Sequence, residues 1–402
     1  MAGYVEILRT PGVARIIAAQ LTARAPQGML SLCLLLHIER MHDSYGAAGL
    51  VLAATSVGSA VAGPLTSRWM GAWGMRPVLM LTIGVCSAAL LVLTLLPMPV
   101  LAQMGVAVVA GLANPPIASA VRTIYPKLVT ARKLTVLFSL DATAQEIIWV
   151  AGPVLATFLA TQVSTVVAML AVVAIMLGGG AWFVANREVG RVRIPRSRRR
   201  IGAVLQRPAV LLATIVGFVL VASFAAIEAS IVSVFGDGDP RSGIVIAIWS
   251  FASIAGGLLM GRLPMGPWSL ARRMFFVFLG AGLALVMLDF WWLAFALVIS
   301  GIGISPAIAV LSSQVSSSVR FSETAEAFGW NTTGQLIGAA LGSAAAGFLI
   351  DGFGSFGGFV ASAVLALLGL AIAASTVRWQ PDLRGGAVGP IPDTEPVPIQ
   401  PS

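Results

Sequence analysis

The chain has 402 residues, 58% of them hydrophobic and only 10% charged, with a mean hydropathy of +0.93 and a formal net charge of +9. A soluble globular chain carries about 25% charged residues, so this composition excludes a water-facing surface of such size and points to a bilayer, which solvates apolar side chains directly. The basic excess alone would suit nucleic acid, but its placement along the chain excludes that partner.

A span needs roughly 20 mostly apolar residues to cross the hydrocarbon core. The sequence predicts twelve, near 13–38, 46–69, 77–96, 99–122, 135–160, 164–185, 209–234, 243–263, 271–290, 292–316, 326–350 and 356–377. The first reads as a span, not a cleaved signal, because it is long and carries Arg15 and Arg24, whereas a signal peptide has a short uninterrupted apolar run. Cys33 and Cys86 both fall inside spans and read as apolar packing residues. Trp291 and Trp292 mark a tight turn between the ninth and tenth spans.

Of the 25 Lys and Arg residues, only Arg40 and Arg241 fall in loops assigned to the outside, and Arg24 lies in mid-span. The rest sit at or near the ends of alternate loops, which is the positive-inside pattern. It predicts both termini in the cytoplasm and an even number of spans; the membrane expected is the plasma (inner) membrane. The longest interruption, 186–208, is rich in Arg and reads as a basic cytoplasmic linker near anionic headgroups. It divides the chain into a first half, 1–185, and a second half, 209–378. The tail, 379–402, is rich in Pro and poor in apolar residues, and reads as disordered.

The halves repeat one another. At a fixed offset of 190, residues 138–159 and 328–349 share eight identities in 22 positions, including Phe138/Phe328, Thr143/Thr333, Gln145/Gln335 and Gly152/Gly342. Asp141 meets Asn331, a near-isosteric change. The same offset aligns Gly111 and Pro116 with Gly301 and Pro306. An offset of 194 aligns Gly63, Leu65 and Arg68 with Gly257, Leu259 and Arg262. Spans correspond in order and orientation, so this is a parallel repeat about an axis along the membrane normal. The fold class expected is an all-α polytopic membrane protein of twelve helices in two pseudo-symmetric six-helix bundles.

These motifs resemble the major facilitator superfamily. Its loop after span two reads G-x-L-x-D-R-x-G-R-[RK]; here Gly63, Leu65 and Arg68 match, Ser67 stands at the Asp position, and Gly74, Arg76 and Pro77 resemble the second part with shifted spacing. Gly152-Pro153 resembles in part the Gly-Pro motif of the proton-antiporter branch, close to drug- and sugar-efflux carriers. The resemblance implies a central cavity lined by spans 1, 4, 7 and 10, alternating access by rocking of the halves, and proton-coupled efflux of a small molecule. Import by proton symport is the alternative.

Charged groups inside a bilayer cost at least roughly 2.5–3.5 kcal/mol each, so each needs a partner or a use. Four stand out: Arg24, Asp141, Glu146 and Glu228. Arg24 and Glu146 lie at similar depth and are expected to face each other, either as a coupling and substrate pair or as a fixed ion pair. Asp141 is expected to pair either with Arg262 as a cytoplasmic gate or with Arg122 inside its own half. The mirror pairing sets Arg68 near Asn331, Glu326 or Glu323. Glu228 either lines the cavity or reaches the outer surface. The gate motif comprises Gly63, Leu65, Arg68, Arg76, Gly257, Leu259 and Arg262. Gln27, Asn114, Gln145, Trp149, Trp249, Trp330, Asn331 and Gln335 are cavity candidates, fit for an amphipathic or aromatic solute.

Rival classes lack their residues. A membrane enzyme would need a metal or nucleophile site, yet the chain has two histidines, His37 and His42. No P-loop occurs. No cofactor or metal is expected, and the partners expected are solute, protons and lipid around a monomer. A sensor or lipid scramblase would share the fold.

Overall fold

The computed structural model describes residues 2–195, 200–236, 239–261, 263–384 and 389–393. Its helices are α1 (Ala2–Leu8), α2 (Val13–His42), α3 (Tyr45–Trp73), α4 (Met75–Leu95), α5 (Val100–Leu112), α6 (Ile117–Leu128), α7 (Ala131–Gln162), α8 (Thr165–Ala185), α9 (Arg187–Arg191), α10 (Pro208–Phe235), α11 (Pro240–Met260), α12 (Ser269–Leu283), α13 (Phe290–Ser318) and α14 (Thr324–Ser375).

Local chemistry sets the boundaries. Ser44 and Ser164 cap α3 and α8 by accepting from the amides of Ala47 and Val167, satisfying donors that the first turn leaves open. The fourth expected span is broken: Pro115 and Pro116 lack N–H groups, and the chain leaves helical geometry over 113–116 between α5 and α6. The eleventh and twelfth expected spans run on as α14, interrupted at Gly354 with φ 66° and ψ −168°, a conformation open to glycine.

Nine segments among the described residues are long and apolar enough to cross a membrane, α5 with α6 and α14 each counting once. Outside that set fall α2, which carries Gln20, Arg24 and Gln27, and α12, which is 15 residues long. The turn expected at Trp291 and Trp292 lies earlier. α12 stops at Leu283, and Asp289 starts α13 by accepting from the amides of both tryptophans.

Small residues let the helices approach closely. A Cβ on Gly152 of α7 would lie 2.6 Å from the Gly28 backbone of α2. Gly342 of α14 meets the Ala222 backbone of α10 in the same way. The pairs are related by offsets of 190 and 194, so the repeat read from the sequence is a repeat of packing. Large apolar side chains such as Leu101, Phe251 and Phe348 point outward at more than 70% exposure, which suits acyl chains and not water. Cys33 and Cys86 are buried free thiols.

The linker and tail pack on one face. Val189, Ile194 and Val204 of the linker are buried. The tail, expected to lack structure from 379, is partly held. Gln380 is buried and bonds the Gln314 side chain, Leu383 N donates to Met265 O, and Ile391 forms a parallel bridge with Arg320. Backbone groups make most of these contacts, which is why a reading of side-chain composition misses them. Residues 385–388 and 394–402 lie outside the described residues.

Candidate transport site

The buried charges of the first half converge on Asp141 of α7. Arg122 of α6 approaches one carboxylate oxygen with Nε at 3.2 Å, and Arg24 of α2 lies 3.5 Å from the other. Tyr125 donates its hydroxyl at 2.9 Å and Gln20 its amide at 3.2 Å. One turn on, the Gln145 carbonyl accepts from both Arg24 and Arg122. Arg24, Arg122 and Asp141 are each at most 3% exposed. A carboxylate in hydrocarbon needs this many donors, because nothing else replaces its water.

The pairing of Arg24 with Glu146 is corrected by this geometry. Asp141 and Gln145 are four residues apart and share the α7 face toward α2 and α6. Glu146 is rotated about 100° from Gln145 and faces α11 of the other half, where it accepts from the Ser253 hydroxyl at 3.0 Å. Glu146 is buried, and no cation lies within ion-pair distance among the described residues. Helical phase separates the two groups.

Arg262, the partner expected for Asp141 in a gate, lies outside the described residues. Asp141 takes the alternative, Arg122, inside its own half. The mirror pair is present, with Arg68 of α3 3.2 Å from Glu326 of α14. Glu326 also accepts from Gly202 N of the linker at 2.8 Å.

Around these groups the halves close on the face that carries the termini and linker. A Cβ on Gly63 would lie 2.4 Å from Thr333 Oγ1, and one on Gly257 2.0 Å from Thr143 Oγ1, a pseudo-symmetric pair of contacts. Ser139 donates to Gly257 O at 2.7 Å and Thr333 to Ala60 O at 3.0 Å. Tyr4 of α1 donates to the carbonyls of Gly257 and Leu258. Phe138 and Phe328 lie 6.0 Å apart across the boundary. These hydrogen bonds between the halves all lie from Glu146 and Ser253 toward this face. This conformer is closed there.

The other expected residues scatter. Arg76 donates to the carbonyls of Val184 and Asn186, tying α4 to the end of α8 rather than the halves to each other. Leu65 is half-buried and Leu259 is exposed. Glu228 is exposed on α10, and Trp149 is exposed on α7. Gln27 and Asn114 are half-buried. Trp249 is buried and stacks on Phe224 at 4.5 Å.

In the second half, Asn331 and Gln335 occupy the places of Asp141 and Gln145. The packing offsets set Thr214 and Phe218 where the first half has Gln20 and Arg24. Neither polar atom of buried Asn331 has a partner, and Gln335 Nε2 and Trp330 Nε1 also lack one.

Sequence reasoning missed Tyr125, Ser253 and Tyr4. The three-residue step from Arg122 to Tyr125 puts both on one helical face, a usable signal. Nothing marks Ser253 among the many serines of the spans.

Among solved structures, the human organic anion transporter MFSD10 (TETRAN) matches with a TM-score of 0.69 at 15% identity, over 90% of this chain and 100% of that one. A bacterial homologue of the iron transporter ferroportin in an outward-facing state matches with a TM-score of 0.72 at 13% identity, over 91% of this chain and 98% of that one. At these identities the likeness is one of fold. No curated protein matches the sequence. The family model of the Major Facilitator Superfamily matches residues 16–320, which is most of the chain. With its helical fold and paired halves, the chain belongs to the major facilitator superfamily.

Proposed function

We propose that this chain is a secondary active transporter that exports a small organic solute by alternating access, coupled to protons through Glu146. The observation that carries the reading is the Glu146–Ser253 contact. It is a buried carboxyl without a cation, and its one hydrogen bond joins the two halves where they close. Opening that face must break the bond. The carboxyl then exchanges a protein hydroxyl for water, so its protonation and the conformation are linked. Export is favoured by the partial Gly-Pro motif at Gly152-Pro153.

The basic face is assigned to the cytoplasm by the positive-inside pattern, in the plasma (inner) membrane, with the chain acting as a monomer among lipids. Asn331, Gln335, Trp330 and Trp249 carry unpartnered polar atoms. They offer a solute hydrogen bonds without net charge.

The test is reconstitution into proteoliposomes with an imposed pH gradient and a panel of small organic solutes. Solute flux that follows the gradient, and that Glu146→Gln uncouples from it, supports the reading. Flux of every solute indifferent to the gradient would remove Glu146 from coupling.

A further inference from the structure

The first half holds more buried positive charge than its contacts balance. Arg24 and Arg122 share one carboxylate, Asp141. That carboxylate is already filled by Tyr125 and Gln20 in addition to the two guanidiniums. The terminal nitrogens of both arginines then converge on the carbonyl of Gln145, and Arg24 also donates to the Gln20 side-chain carbonyl at 3.0 Å; both acceptors are neutral. Arg24 Nε has no partner although its side chain is 3% exposed. The next carboxyl along the helix, Glu146, is turned to Ser253 and does not contact either arginine. Phe328 of the second half lies against Arg122, with its ring centre 5.9 Å from the guanidinium, and supplies only an aromatic face.

An unbalanced guanidinium in low dielectric is costly, and a neutral carbonyl shared between two cations compensates little of it. A planar oxyanion offers two acceptors in the geometry that guanidinium forks match. We infer that the transported solute is an organic anion, a carboxylate or similar monoanion, whose charged end is held by Arg24 and Arg122 in competition with the Gln145 carbonyl. Gln145 is half-buried, so it marks the side from which the anion reaches the pair. This inference rests on the transporter reading and names the substrate class of the same site.

The experiment uses the full chain, purified in detergent at fixed pH and ionic strength. Thermal unfolding is followed against a series of monocarboxylates from acetate to benzoate and salicylate. Each is paired with its amide and with an amine of equal size. The expected result is a saturable rise in Tm with one or more carboxylates and none with the matching amide or amine. Arg24→Gln and Arg122→Gln weaken the half-saturating concentration by about tenfold or more, and Arg24→Lys by less, since loss of a charge-assisted contact is worth roughly 1.5–3 kcal/mol. Size-exclusion profiles identify variants that fail to fold, and the wild-type series decides the matter without them. Stabilisation by no carboxylate, equal stabilisation by the amines, or carboxylate binding indifferent to both Gln variants overturns the inference. The same series in proteoliposomes separates the two readings: transport of amines or neutral solutes with carboxylates excluded leaves a transporter that is not an anion carrier.

Discussion

The Ser253 hydroxyl of the second half donates to the Glu146 carboxyl of the first at 3.0 Å, where the two bundles meet. In the other copy of this interface, the residue at the Glu146 position is Leu336, so the fold itself does not require a carboxyl there. Ser253→Ala should leave the protein folded and change how its turnover depends on pH. The check is solute flux against external pH for wild type and variant; superimposable curves would detach the contact from coupling.

Arg68 and Glu326 join the halves from a half-exposed and a buried position. Removing one partner of a buried pair costs up to roughly 3–5 kcal/mol, less for a partly exposed one. Arg68→Ala should therefore favour conformers open on the basic face. Alkylation of a cysteine placed at Ser67, followed from that side, should speed up by about tenfold, the equivalent of 1.4 kcal/mol.

The glycines divide by what they touch. Gly63 meets Thr333 and the Gly329 carbonyl across the halves, whereas Gly152 meets the Gly28 backbone within one half. Overpacking costs about 1–3 kcal/mol. In Gly63→Val that cost should fall on the closed conformer, giving a folded protein biased open. In Gly152→Val it should fall on the bundle, lowering Tm in every state. Thermal unfolding and cysteine accessibility measured together separate the two.

Lys133 of α7 lies 2.7 Å from Glu6 of α1, the short helix whose Tyr4 reaches α11. The hydrogen bond and charge of Lys133 hold the Glu6 carboxyl below the usual glutamate range. A lowered value means that the tie is complete above the free glutamate pKa and is lost as pH falls through the lowered one. Proteolysis of the first ten residues should accelerate on that acid side, and Glu6→Gln should remove the acid dependence.

Ile391 donates its amide to Val319 O and accepts from Phe321 N at 3.1 Å, so a single parallel bridge holds the tail to the loop before α14. Phe321 itself sits under Lys127 of the first half, 4.2 Å from the ring centre. Ile391→Pro removes the donor and should free the tail, seen as faster amide exchange at Val319–Ser322 with helix protection unchanged.

Much of this architecture is legible in the sequence. Hydropathy places most of the expected spans along helices, the fourth being broken at 113–116 and the ninth ending at Leu283, and the offsets of 190 and 194 recover pairs that touch: Gly63 with Thr333, and Gly257 with Thr143. Composition supports these readings because the bilayer forces apolar runs and small-residue contacts. The site was less legible. Arg24 and Glu146 are separated by helical phase, and one residue along α7 changes which half a side chain meets. Ser253 and the tail act through a single hydroxyl and through backbone groups, which leave no periodic mark.

The Asp141 cluster also has an order of assembly. Arg24 is synthesised 117 residues before Asp141. At about 5–20 residues per second, the arginine-bearing first helix enters the bilayer on the order of ten seconds before its carboxylate exists. Until then its guanidinium has only the Gln20 carbonyl of its own helix and whatever lipid headgroups or water reach it, so the charge of α2 is balanced only when α7 arrives. The second half, with Phe218 and Asn331 in those places, carries no such delay and can pack as each helix emerges.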